Sequence, residues 1–141
     1  MNQVGYMKWA LGLTLAGTLF SGYLSGVKFF SETCALSEPC PYFLGQPACY
    51  FGFAMFTTML VITLLGYTKI TTYNITVKTN LIISLLGILF AGYYVAIELM
   101  GWIEAGKIVL YTLGLPTCAY GLIFYIAIFI LSIKKRESAI Q

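Results

Sequence analysis

Four cysteines, Cys34, Cys40, Cys49 and Cys118, are the side chains of this 141-residue sequence best equipped for covalent chemistry. Thiols can pair as disulfides, exchange one disulfide for another, or sit buried as small apolar groups. Four of them allow three pairings. Cys34 and Cys40 flank a five-residue gap that holds Pro39 and could close a small ring, whereas Cys49 with Cys118 would join distant parts of the chain. Competing chemistries lack their residues. The sequence has no histidine, so hydrolysis has no imidazole base. A zinc-type metal site would want His or a Cys-x-x-Cys pair, and neither is present. Fixed structural disulfides and buried thiols stand beside redox exchange as readings of the same four residues.

The elements that position these thiols must be membrane helices. Hydrophobic residues make up 60% of the chain and charged residues 9%, and the mean hydropathy is +0.87. A soluble domain carries roughly 25% charged residues, so lipid has to cover much of this surface. The net charge of +3 is too small to suggest a nucleic-acid partner. Four apolar stretches, about Trp9–Val27, Ala48–Tyr67, Leu81–Trp102 and Leu113–Ile133, each approach the ~20 residues a span requires. They are predicted to be helices, because lipid offers no partner to an exposed backbone N–H or C=O. Thr68 to Asn80, rich in Thr and Asn, is predicted to be the connection between the second and third. The chain 1–141 is then a single four-helix transmembrane domain. Cleavage of the first span as a signal peptide is the rival reading, and the internal repeat described next argues against it.

Gly17–Tyr23 (GTLFSGY) recurs as Gly87–Tyr93 (GILFAGY), and Leu44–Gly52 (LGQPACYFG) recurs as Leu113–Gly121 (LGLPTCAYG). The offsets are 70 and 69 residues. Two matches in the same order predict a duplicated helical hairpin, with halves of about 9–67 and 79–133. Each half enters and leaves from one face, so the halves are parallel repeats about a pseudo-twofold along the membrane normal. Gly17, Gly22, Gly87 and Gly92 are expected to let the first and third helices approach closely. Pro47 and Pro116 open the second and fourth helices, as proline suits a first turn. Cys49 and Cys118 follow two residues later, where the partial positive charge of a helix N-terminus favours thiolate.

Orientation follows from the cations. Lys8, Lys69, Lys78, Lys134, Lys135 and Arg136 fall on one face and only Lys28 and Lys107 on the other. Both termini are therefore expected in the cytoplasm, and all four cysteines on the oxidising, extracytoplasmic side. Glu98 matches Lys28 in the repeat register, as an ion pair or as two interfacial groups. Trp9, Tyr67 and Trp102 fit an interfacial aromatic belt. Tyr23, Tyr93 and Tyr120, with Tyr94 next to Tyr93, fall inside spans towards the cysteine side, where they could line a pocket for a flat redox ring such as a quinone or simply fill space.

In this pattern the chain resembles the vitamin K epoxide reductase family and, more distantly, the DsbB-type thiol oxidases. The residues that carry the resemblance are the Gly-Tyr of the first span, the loop pair Cys34-Ala-Leu-Ser-Glu-Pro-Cys40, and Gly45-Gln-Pro-Ala-Cys-Tyr-Phe-Gly52 at the start of the second. The resemblance implies a four-helix core around a quinone. It also implies a loop cysteine pair that passes electrons between a thioredoxin-like partner and a Cys-x-x-Cys opening the fourth helix. This sequence departs there: Leu115-Pro-Thr-Cys118 occupies the place of the Cys-x-x-Cys, with Leu115 where the first cysteine belongs. The stretch between Cys40 and Gly45 is also shorter than the family pattern. Cys49, brought over by the pseudo-twofold, is the expected substitute partner of Cys118, and Cys34 with Cys40 the expected shuttle pair. The leading expectation is thus a membrane thiol–disulfide oxidoreductase. A non-catalytic protein of the same fold with structural disulfides is one alternative. A small transporter is another, although no span carries an ionisable residue near its midpoint.

Overall fold

The computed structural model describes residues 2–31, 42–107 and 117–140, with side chains to residue 138. Helix α1 (Gln3–Ser31) is followed by a two-stranded hairpin, β1 (Tyr42–Phe43) and β2 (Gln46–Pro47), then by α2 (Ala48–Tyr67), α3 (Tyr73–Ala105) and α4 (Thr117–Ile140). All four helices are long and apolar enough to cross a bilayer. They form one antiparallel bundle, in which α1 packs chiefly on α2 and α3 chiefly on α4, while α2 with α3 and α1 with α4 make the lighter seams.

The bundle is inverted relative to a water-soluble one. Its interior mixes apolar side chains, Phe56, Met59, Tyr125 and Ile128 among them, with polar Thr14, Ser21, Thr63, Thr76, Asn80, Ser84 and Ser132, whereas Leu15, Leu19, Leu85, Leu89 and Ile130 face outwards. Lipid accounts for this distribution, because helices in hydrocarbon gain little by hiding leucine and associate through close packing and hydrogen bonds. Buried hydroxyls reach their own helix: Thr14 Oγ1 donates to the Ala10 carbonyl at 2.8 Å and Ser21 Oγ to the Gly17 carbonyl at 2.7 Å.

The repeat is visible residue by residue. The buried stripe of α1 includes Tyr6, Met7, Ala10, Thr14, Gly17 and Ser21, and that of α3 is Thr76, Val77, Asn80, Ser84, Gly87 and Ala91, the same positions seventy residues on. Phe56, Met59 and Thr63 of α2 match Tyr125, Ile128 and Ser132 of α4. Outward faces agree as well: Leu19 and Leu89 are 66% and 64% exposed, and Tyr23 and Tyr93 59% and 61%. Related helices are therefore rotated alike about their own axes.

Three expectations need correction or extension. The glycines do not bring α1 against α3. A Cβ at Gly17 would strike the Phe56 ring on α2, and one at Gly87 the Tyr125 ring on α4, so each glycine admits an aromatic ring within its own hairpin. The connection between α2 and α3 is shorter than predicted, because α3 starts at Tyr73. Its polar first turns are helical and buried: Thr76, Val77 and Asn80 pack beside Tyr6, Met7 and Gly66. The tight turn depends on Lys69 at φ +63°. Its N–H reaches the Gly66 carbonyl and the Ile70 N–H the Leu65 carbonyl, which satisfies the last carbonyls of α2. Finally, the β-hairpin has a Leu44-Gly45 turn with φ of +52° and +80°, the left-handed pair that a two-residue hairpin loop requires. Leu113–Pro116, the expected start of the fourth span, lie outside the described residues.

Candidate functional site

The end of the bundle opposite the chain termini carries the described cysteines. Pro47 is the N-cap of α2, in extended conformation at φ −58° and ψ 136°, so Cys49 is the second residue of α2. Cys118 is likewise the second residue of α4. Both are half-buried, and no disulfide joins one to the other. Cys34 and Cys40 lie outside the described residues.

The direction in which these thiols face follows from the layer beneath them. Phe56 and Tyr125 are stacked across the centre of the bundle, with ring centroids 4.3 Å apart and planes within 11° of parallel. Each ring stands seven residues after the cysteine of its own helix. Seven residues are nearly two full turns, so positions i and i+7 share one face, separated by about 10 Å along the axis. Cys49 and Cys118 therefore share the faces of α2 and α4 that carry Phe56 and Tyr125, two turns beyond a pair of rings already in contact. Tyr125 strengthens the crossing, since its hydroxyl donates to the Gly52 carbonyl of α2 at 3.5 Å.

Around this pair the two halves differ. Ser25 Oγ of α1 donates to the Cys49 carbonyl at 3.1 Å, tying the end of α1 to the opening turn of α2. Lys28 places its ammonium 5.6 Å from the centroid of the Tyr42 ring, a cation–π contact. Tyr94 Oη of α3 donates to the Tyr42 carbonyl at 3.1 Å. Phe43 packs edge-on against Phe51 and Phe90, at 5.3 and 5.4 Å. The hairpin is thus held by all of α1, α2 and α3, directly above the α2/α3 seam. Cys118 lies within electrostatic reach of Tyr94 and Tyr125.

The three candidate tyrosines do not share one surface. Tyr120 meets Phe20 at 6.0 Å on the α1/α4 seam. Its repeat counterpart is the Phe51–Phe90 contact at 5.9 Å on the α2/α3 seam. Tyr93 joins that second seam through Tyr94 and Phe90, whereas Tyr23 is exposed on α1. Phe43, Phe51, Phe90, Tyr93 and Tyr94 form the larger aromatic wall. Sequence reading singled out Tyr93 and Tyr94 of this wall and missed Phe43, Phe51 and Phe90, phenylalanines in an already aromatic-rich chain. It also missed the axial stack, although an aromatic seven residues after a cysteine in both repeats was a legible signal. Among the described residues no three His, Cys, Asp or Glu side chains gather as a metal centre would need. Comparison with family models, curated proteins and solved structures returned no match to this chain.

Proposed function

We propose that the protein is a membrane thiol–disulfide oxidoreductase of the vitamin K epoxide reductase type, moving electrons between extracytoplasmic protein thiols and a quinone. The observation that supports it most is the matched placement of two cysteines, second in α2 and second in α4, two turns beyond the Phe56–Tyr125 stack. In this reading Cys49 supplies the thiol that Leu115 lacks. The cation distribution sets the termini in the cytoplasm and the cysteine end outside.

The exchange chemistry balances with two outside reactants, a protein dithiol as reductant and a quinone as the oxidant that restores the Cys49–Cys118 disulfide. A partner dithiol, for instance on a thioredoxin-like protein, reduces a Cys34–Cys40 disulfide and is itself oxidised to a disulfide. A thiolate of Cys34 or Cys40 then attacks a Cys49–Cys118 disulfide. The mixed disulfide is resolved by the second loop thiol, leaving Cys49 and Cys118 as thiols. A quinone supplies the acceptor of the resulting two electrons and two protons. The chain's own part is to hold Cys49 by the Ser25 bond, to keep water away by packing the hairpin on Phe51 and Phe90, and to offer the aromatic wall to the ring.

The test is disulfide mapping on protein alkylated in native membranes, before and after a dithiol or a reduced quinone is added. A Cys49–Cys118 linkage that opens and closes with redox treatment supports the reading. Cys49→Ser should then abolish quinone-dependent thiol oxidation as completely as Cys118→Ser. Linkages fixed under all conditions, or full activity in the Cys49 variant, would make the cysteines structural.

A further inference from the structure

The two repeat-related thiols have different neighbours, and the difference bears on which of them reacts first. Burial opposes negative charge on either sulfur, since both are half-buried. Around Cys49 several groups work the other way. Ser25 Oγ, which donates to the Cys49 carbonyl at 3.1 Å, is also within hydrogen-bonding reach of the Cys49 sulfur, as are the backbone N–H groups of Cys49 and Tyr50 at the opening of α2. The Lys28 ammonium, one turn after Ser25 on α1, lies within electrostatic reach of the same sulfur. Its contact with the Tyr42 ring, 5.6 Å from the centroid, keeps it at the edge of the hairpin. The titratable groups packed around this opening turn are Lys28 on α1, Tyr42 on the hairpin, Tyr50 on α2 and, through the Tyr42 carbonyl, Tyr94 on α3. Lys28 supplies their positive charge, and a cation or a donor beside a sulfur stabilises its thiolate.

The second copy replaces both of the groups that α1 brings. The counterparts of Ser25 and Lys28 are Val95 and Glu98, an alkyl group in place of a donor and an anion in place of a cation. Tyr94 and Tyr125 lie within electrostatic reach of Cys118, but their hydroxyl protons are directed at the Tyr42 and Gly52 carbonyls. Helix packing asks for neither a donor nor a cation at this place, since the same hairpin is built with Val95 and Glu98.

We propose that Ser25 and Lys28 are positioning residues that make Cys49, rather than Cys118, the more reactive thiol of the pair and the leaving group of the exchange. The proposal rests on the thiol–disulfide reading above and gives that exchange a direction. A thiolate of Cys34 or Cys40 attacks the Cys118 sulfur, the Cys49–Cys118 bond breaks, and its electron pair leaves on Cys49. Cys118 carries the mixed disulfide. The second loop thiolate then attacks the loop sulfur of that bond, which closes the Cys34–Cys40 disulfide and releases Cys118 as a thiolate that takes up a proton.

The full-length protein would be reduced, freed of reductant and pulsed with iodoacetamide over a pH series, with labelling of each thiol read by peptide mass spectrometry. Cys49 should be labelled several-fold faster than Cys118 at neutral pH, with the midpoint of its profile at lower pH. Lys28→Gln should cut the Cys49 rate at neutral pH roughly threefold, and Lys28→Arg should restore it. Ser25→Ala should move the Cys49 midpoint in the same direction as Lys28→Gln, and the Cys118 profile should hold still throughout. A change in access alone would alter the plateau of a profile and not its midpoint. Brief treatment of the oxidised protein with glutathione, quenched with acid, should leave glutathione on Cys118. Equal midpoints for the two thiols, a Cys49 midpoint unmoved in Lys28→Gln and Ser25→Ala, or glutathione on Cys49 would each overturn the proposal. Absence of any Cys49–Cys118 linkage would instead sink the oxidoreductase reading, and the alkylation profiles would still decide whether Ser25 and Lys28 act on Cys49.

Discussion

Among the described residues, the first and second hairpins match through the middle of the bundle and differ towards its ends. In the middle, Gly17 admits Phe56 as Gly87 admits Tyr125, and the two rings meet each other on the axis. At the end nearest the termini the symmetry is gone: Tyr6 faces Thr76 across the repeat, and Asn80 stands where α1 has Ala10. One side chain from each helix joins a buried network there. Tyr6 Oη and Ser132 Oγ share a hydrogen bond of 3.0 Å, while Asn80 Nδ2 donates to Tyr6 Oη at 3.3 Å and to Thr63 Oγ1 at 2.9 Å. Oδ1 of Asn80 has no partner among the described residues. At the cysteine end, only the first half has the Ser25–Cys49 tie, since the counterpart of Ser25 is Val95. Positions close to the axis meet their own copies and so bear the same steric demand, whereas the ends meet different surroundings. The shared middle is therefore what packing on the axis needs, and the ends are where the two copies have diverged.

The largest test of that division is the axial stack. Phe56→Ala and Tyr125→Ala should each cost about 2–3 kcal/mol. That is only the cavity share of the usual loss, because lipid is as apolar as the core and the transfer share largely cancels. Unfolding midpoints in bicelles should fall equally for the two variants. A fall in one alone would mean the stack is not the shared centre. Next come the glycines beneath the rings. Gly17→Ala and Gly87→Ala place a Cβ inside ring positions, an overpacking cost of roughly 1–3 kcal/mol, and again the pair should match.

The polar network separates the halves instead of matching them. Asn80→Ala makes α3 resemble α1 at this position but strips Tyr6 and Thr63 of a fully buried donor. A loss of roughly 1 kcal/mol is expected, in line with buried hydrogen bonds between membrane helices. Ala10→Asn, the reverse change, should not restore stability, because the network needs its amide on α3. A double variant as stable as the wild type would show that the two halves are interchangeable here after all.

The fold was legible in the sequence to the extent that lipid constrains it. Apolar runs of spanning length have one solution, and two short motifs repeated in order were enough to give the hairpin duplication. Helix ends were less legible. Thr72 to Asn80 reads as a loop by polarity, yet Thr76 and Asn80 are polar because they point into an interior that mixes polar with apolar side chains, not because they are exposed. Gly17, Gly22 and Gly87 are points of close approach, as read, and Gly92 is not; which helix approaches depends on tertiary packing. Cys49 and Cys118 were recognisable from Pro-x-Cys at a matched helix opening. Their common facing was not, because it depends on which side of α2 and α4 meets the axis. The tyrosine set was drawn by depth alone, and depth cannot distinguish the α1/α4 seam from the α2/α3 seam.

The smallest effect gives the finest comparison, because it asks whether repeat-related glycines that share a motif also share a purpose. Gly22 and Gly92 are equivalent in sequence, each ending a Gly-x₄-Gly segment. An added Cβ at Gly22 would come within 3.0 Å of the Phe53 ring, whereas at Gly92 it would meet nothing within 4 Å. Phe53 has Leu122 as its counterpart, so the second half lacks the ring that the glycine would accommodate. Alanine in place of a mid-helix glycine generally stabilises by roughly 0.5–1 kcal/mol, through the backbone entropy of the unfolded chain. Gly92→Ala should realise that gain and raise the unfolding midpoint. At Gly22 the same gain is offset by the Phe53 ring having to move by a few tenths of an ångström, so the midpoint should stay level or fall slightly. Equal stabilisation at both would mean that Phe53 yields freely and that Gly22 survives only as sequence ancestry. A loss at Gly92 would mean that its open surface is occupied in the membrane by something besides lipid.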